Sequence, residues 1–322
     1  MLNISYTFSP FLLRSYEKIN NLRREIVLYP LSPKTELEFR FRATINRIHY
    51  GLHLAGTEVS SEQIKKILSS QVYLAMQTGK KNTENNSIER QVIRYKHAFD
   101  YLKQEWLVTP APIDVETIIT LHEIASEGKL KVSPKQISEV LNYLQATSDS
   151  PFIQAAIAKF LFTYMDPFSG ENEVISLLCS YLFLYKAGWD IRGMVVLEHA
   201  LGKEPEQYKS QYHQAVQSLN VTGWIEYFVR VMTEQLEELH ASMMASSAEG
   251  LVVQKDKSWE LNDRQKAILN LLDDPTVMVT NRTIQKMFKV SQITASRDLA
   301  KLTTLGLLFA HGKGRSVRYT KV

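Results

Sequence analysis

Cysteine is almost missing from this 322-residue chain: Cys179 stands alone, so no disulfide can close within it, and a reducing cytoplasm is the expected setting. Proline and glycine are sparse, at 10 and 13 residues, which excludes collagen-like and low-complexity architectures and leaves room for long helices. No uncharged run reaches the ~18 residues that a membrane span needs, so no membrane partner is expected, and the opening residues do not read as a signal peptide. Metal-ligand spacing is missing as well. His49 and His53 stand four apart and can share a helix face, but neither a carboxylate nor a third ligand completes the pattern, so no metal is expected. Gly312-Lys313-Gly314-Arg315 lacks the preceding strand and the spacing of a phosphate loop. None of these features calls for a cofactor, and none is expected.

What is present is an ordinary globular composition with unevenly placed charge. Hydrophobic residues make up 44% and charged residues 22%, enough for two domains and a sizeable core. Residues 251–322 hold 13 Lys/Arg against 6 Asp/Glu, while residues 1–250 hold 25 against 28. A polyanion partner is therefore expected at the C-terminal end alone.

Hydrophobic periodicity predicts a mainly α fold. Leu12, Tyr16, Ile19, Leu22 and Ile26 recur at helical spacing and mark an N-terminal helical arm within residues 1–35, ended by Pro30 and Pro33. Leu37, Phe41, Ile45 and Ile48 stripe a second helix, Ser60-Ser61-Glu62 caps a short third, and Val92, Tyr95, Phe99, Leu102 and Trp106 stripe a fourth. Residues 79–87 read as a polar loop. Segments 153–164 and 175–185 are apolar nearly all the way round, as helices in the middle of a core are. The polar turn between them opens the second helix and so presents free backbone N–H groups.

Residues 242–259, rich in Ser, Ala and Gly, read as a linker. Beyond it Asn262, then Thr280 or Asn281, then Ser291 can each cap a helix, and Gly306 stops the third. Segments 307–310 and 316–320 then form a hairpin with a basic tip. Helix, helix-turn-helix and hairpin is the winged-helix plan, assigned to residues 260–322. In helix-turn-helix docking the start of the second helix reads base edges, which selects Gln292, Thr294, Ser296 and Arg297. Lys301, Lys313, Arg315 and Arg318 are placed for phosphates. DNA is the expected partner, with dimerisation or protein contact as the other use of such a module.

The central turn reads Asp166-Pro167-Phe168-Ser169-Gly170-Glu171-Asn172-Glu173-Val174. Set between two buried helices, it resembles the Fic family, whose motif is H-P-F-x-(D/E)-G-N-G-R-x-x-R. Pro167, Phe168 and Asn172 match that motif. Asp166 stands at the catalytic His, Gly170 at the metal-binding carboxylate, Glu171 and Glu173 at the two glycines, and Val174 and Leu177 at the two arginines. Arg94 to Ala98, Leu121-His122, Tyr208 to Tyr212 and Trp224 to Phe228 resemble further family patterns in the right order. The resemblance implies a Fic-like helical domain over residues 36–241. Active members carry a β-hairpin flap that pairs with an extended target, whereas residues 127–134 are long enough for a turn and one short strand. Many members also carry an inhibitory helix with (S/T)-x-x-x-E-(G/N). The nearest stretch, residues 43–50, has His49 as the equivalent of the glutamate.

In a working member, the resemblance implies, the His takes a proton from a target hydroxyl that attacks the α-phosphate of ATP. The carboxylate holds Mg²⁺, the Gly-Asn-Gly backbone cradles phosphates and the arginine neutralises them. Asp166, starting at about 3.9 against about 6.5 for a histidine, is a weak general base at neutral pH. Glu171 and Glu173 remove the glycines' freedom and set carboxylates against an anion, at about 1–4 kcal/mol for a like-charge pair near 4 Å. The expectation is a catalytically impaired protein with DNA at its winged helix and a protein partner at its helical domain, a homodimer being left open. The alternative is an atypical adenylyltransferase using Asp166 and Mg-ATP. A plainer reading and a sharper one stand beside these. Ser169, Glu171 and Glu173 suit any helix N-terminus, and Asp166, Glu171 and Glu173 form an acidic pocket for a cation or basic peptide.

Overall fold

The computed structural model describes residues 4–68, 87–146, 149–170, 172–248, 261–272, 278–305, 307–312 and 317–321. Five features read from the sequence lie outside the described residues: the polar loop at 79–86, Glu171, most of the linker, Gly306, and the wing tip with Lys313 and Arg315. The fold is mainly α, as expected. Helices α1 (Pro10–Leu28), α2 (Pro33–Leu54), α3 (Ser61–Leu68), α4 (Ser87–Glu105), α5 (Val115–Ala125) and α6 (Pro134–Ala146) come first. They are followed by α7 (Pro151–Met165), α8 (Asn172–Lys186), α9 (Leu197–Gly202), α10 (Pro205–Ser218) and α11 (Thr222–Ala248). The chain forms two compact units, one from residues 1–30, 46–59 and 94–251, the other from residues 31–45, 60–93 and 252–322.

Proline opens α1, α2, α6, α7 and α10, where its missing N–H removes nothing the helix needs. Pro33 therefore begins a helix instead of ending one: Ser32 Oγ accepts the Thr35 N–H at 3.1 Å and Pro33 takes the first turn. Helix α6, which the periodicity reading passed over, starts the same way at Pro134. Asp114 and Thr117 make a reciprocal capping box at α5, and Ser60 with Gln63 does so at α3.

Helices α7 and α8 form the centre of the first unit, with Phe152, Phe160, Phe162, Leu178 and Leu182 fully enclosed. Each such side chain contributes about 1.5–3 kcal/mol by leaving water. Small residues let neighbours approach the α7 backbone: Ser180 Oγ donates to the Ala155 carbonyl and Trp224 Nε1 to the Ala156 carbonyl, both at 2.8 Å. Helix α1 lies along α11, α5 packs on α8, and α6 on α7.

The second unit ends in α12 (Asp263–Leu271), β1 (Val279–Thr280), α13 (Asn281–Phe288), α14 (Gln292–Thr304), β2 (Leu308–His311) and β3 (Arg318–Lys321). The three strands are antiparallel in the order β1-β3-β2, with Val279 opposite Tyr319 and Phe309 opposite Thr320. Ile268, Leu272, Val279, Ile284, Ala295, Leu299, Leu302 and Leu308 share one core. Asn262, Thr280 and Ser291 accept the N–H of Gln265, Thr283 and Thr294 at 2.9, 3.1 and 3.2 Å, as capping expects. Strand β1, two residues long, is too short to leave a period in the sequence.

Candidate functional site

The turn between α7 and α8 is shaped first by its backbone. Asp166 ends α7 in the left-handed region, at φ 44° and ψ 59°, with its N–H on the Phe162 carbonyl. Aspartate tolerates this better than most residues. Gly170 follows with φ 77°. Residues 129–131 then run antiparallel to the turn: Lys131 N–H donates to the Pro167 carbonyl and Ser169 N–H to the Lys129 carbonyl, both at 2.8 Å. Lys129 N–H reaches Ser169 Oγ at 2.7 Å. The short strand read in residues 127–134 is thus a single bridge, Leu130 with Phe168, and it is laid on the motif turn itself.

Gly128 makes that approach feasible, since a Cβ there would sit 1.9 Å from the Ser169 carbonyl oxygen. Gly128→Ala is expected to lift the strand from the turn at a cost of about 1–3 kcal/mol, visible as an earlier denaturant midpoint. An unchanged midpoint would mean the bridge contributes nothing.

Side chains complete the turn. Phe168 is buried with its ring stacked on His122, centroids 3.8 Å apart and 8° from parallel. His122 is a packing partner here. The Asp166 carboxylate, half exposed, is held by Lys131 Nζ. Asn172 Nδ2 donates to the Phe162 and Thr163 carbonyls at 3.2 and 3.5 Å, tying the end of α7 to the start of α8.

The resemblance implies a Glu173 carboxylate set against an anion, and the structure places it otherwise. Its carboxylate turns inward to Lys159, whose Nζ lies 2.8 Å from Oε1 and 2.9 Å from Thr163 Oγ1, Ser176 Oγ and the Tyr208 hydroxyl. Tyr208 donates to the same Glu173 oxygen at 2.7 Å. Lys159 is fully buried. Burial pulls its ammonium below the ordinary lysine value, and Glu173 acts against that fall. Burial, then Glu173, pushes the Tyr208 phenol well up.

Val174 and Leu177, at the positions of the family's arginines, are 2% and 0% exposed. Gly170, at the metal carboxylate, offers no side-chain donor. The residues present therefore do not fit Mg-ATP held in the family's manner. Among the described residues, no three His, Cys, Asp or Glu side chains stand close enough to hold a metal ion.

His49 is held by its own neighbours. Its Nδ1 meets the Val59 carbonyl at 2.6 Å, and its ring packs on Tyr50. A strict four-residue step from Thr44 ends on the buried Ile48, so the glutamate of the inhibitory pattern has an apolar side chain at its place. Among the described side chains of this helix, the charged one that is buried is Arg47. Its guanidinium donates to the Val195 and Gly193 carbonyls at 2.7 and 3.2 Å and lies over the Phe99 and Tyr181 rings. Glu198, wholly buried, accepts from the Tyr95 and Tyr181 hydroxyls at 2.8 and 2.7 Å. Burial raises its carboxyl and Arg47 opposes that rise. The periodicity reading did not find this second network.

In the C-terminal module the chosen base-reading residues divide. Gln292 and Arg297 are exposed. Ser296 Oγ accepts from Asn281 Nδ2 at 2.7 Å, and Thr294 Oγ1 meets Ser291 Oγ at 2.9 Å, so both hydroxyls serve the turn between α13 and α14. Lys301 is half-buried and Arg318 is exposed on β3 opposite His311 and Thr280.

No family model matches the sequence, and no curated protein does. Solved structures do. A Fic family protein from Desulfovibrio desulfuricans G20 superposes with a TM-score of 0.59 at 14% identity, over 98% of this chain and 97% of that one. Fic-1 from C. elegans gives 0.53 at 18%, over 73% of this chain and 71% of that one. A Fic domain containing signaling protein from Bacteroides thetaiotaomicron gives 0.53 at 17%, over 76% of this chain and all of that one. Likeness at such identities speaks for the fold: this chain has a Fic-like helical core, followed by a small helix-and-strand element of the winged-helix kind.

Proposed function

We propose that this chain is a Fic-fold protein whose adenylylation motif has lost its chemistry, and that it acts by binding DNA through residues 260–322. The observation that carries this reading is the placement of charge. A helix-turn-helix module with Gln292, Arg297 and Arg318 in solvent sits in the segment that holds 13 Lys/Arg against 6 Asp/Glu. The Fic-like unit then serves as a partner-docking or sensing domain, with the cytoplasm as the setting and a homodimer compatible with it.

The motif turn supports the loss of transfer activity by what occupies it. A phosphate clamp made of arginine can alone be worth about 10³-fold in rate, and apolar side chains fill both arginine positions. The glutamate at the second glycine is committed to Lys159.

One feature favours the alternative, an adenylyltransferase using Asp166 and Mg-ATP: the Asp166 carboxylate remains half exposed at the end of α7. Labelled ATP with Mg²⁺ separates the two. Incorporation into the chain, or into added protein from a lysate, is expected at background and unchanged in Asp166→Ala. Label that appears and then disappears in Asp166→Ala would establish the alternative.

A further inference from the structure

Most of the first two turns of α14 is already committed within the module. Ser291 Oγ caps the Thr294 N–H, and Thr294 Oγ1 stays beside it. Asn281 holds both the Gln292 carbonyl and Ser296 Oγ, at 3.2 and 2.7 Å. Ala295 is fully buried in the core. Asp298, also buried, is held by Arg264 and by Gln265 Nε2 at 2.8 Å. Three side chains remain on the outside: Gln292, Ile293 and Arg297, none of which has a side-chain partner among the described residues. Ile293 is 60% exposed, a large β-branched apolar group held in water between an amide and a guanidinium.

Resting on the DNA-binding reading above, we infer that Ile293 is a specificity-determining residue that packs on the 5-methyl group of a thymine in the major groove. The neighbours fit that role. The thymine methyl is the largest apolar group that base edges present in the major groove, and side chains at the start of a recognition helix are the ones that reach it. Gln292 suits the N6/N7 edge of adenine and Arg297 the O6/N7 edge of guanine. Ile293 and Arg297 are one turn apart on the same helix face, about 6 Å along the axis. With about 3.4 Å between base pairs, the thymine and the guanine fall within about two steps of each other. Ser296 and Thr294, by contrast, are structural.

The test selects preferred duplexes from a random library with the full chain and replaces each thymine in turn by deoxyuridine, which removes the methyl alone. One such replacement, within two steps of a guanine, is expected to weaken binding about fourfold, the worth of one buried methyl at about 0.8 kcal/mol. Ile293→Ala should bind the thymine site about as weakly and be indifferent to that replacement. Ile293 is exposed, so the variant keeps the core intact. Wild type indifferent to every replacement, or Ile293→Ala still sensitive, overturns the inference and leaves DNA binding standing. No duplex binding at all overturns the reading beneath it as well.

Discussion

Replacing Glu173 with alanine is expected to destabilise the helical unit by about 3–5 kcal/mol, because it strands a buried ammonium. Lys159 is wholly enclosed and Glu173 supplies the carboxylate 2.8 Å from its Nζ. Thr163, Ser176 and Tyr208 would remain as neutral partners, which satisfy hydrogen bonds and leave the charge uncompensated. The double variant Lys159→Met with Glu173→Ala should recover most of the loss, since apolar replacement of a buried pair is often neutral or stabilising. Denaturant unfolding followed by tryptophan fluorescence reads this well, Trp106, Trp189 and Trp224 all lying in that unit. A loss below about 1 kcal/mol, or a double variant no better than the single, contradicts the assignment. The same reasoning means that placing glycine at 173 would not create a phosphate cradle. It would remove the counter-ion of Lys159.

Much of the architecture was legible because it is local. Caps at Ser60, Asn262, Thr280 and Ser291 act within three residues, and the apolar helices α7 and α8 bury their whole circumference over residues 155–162 and 174–185. The Lys159–Glu173 pair also left a signal: one lysine in an apolar helix and one glutamate lie seven residues before and seven after Asp166. In a helical hairpin such positions face each other. The family's glycine at this position implies phosphate, whereas the Glu173 carboxylate turns to the helix behind it.

The Arg47–Glu198 network had no such signal. Its members come from α2, α4, α8 and α9, with Glu198 separated from Arg47 by 151 positions, and only the packed fold brings them together. Likewise, spacing alone put Ser296 and Thr294 among the base readers. Asn281, fifteen residues before Ser296, takes that hydroxyl instead.

Affinity for random-sequence duplex DNA should fall steeply with salt, and this measures the central claim most directly. Non-specific binding rests on cations that displace counterions from phosphates, and the candidates are Lys301, Lys313, Arg315 and Arg318. Roughly four such contacts give a log–log slope of about −3.6, or about a hundredfold loss of affinity between about 50 and 200 mM salt. Arg318→Ala should flatten the slope by about 1. A titration of the full chain that yields this slope supports a DNA-binding Fic-fold protein. A slope no steeper than about −1, or one that Arg318→Ala leaves unchanged together with unchanged affinity, would assign the winged helix to protein contacts.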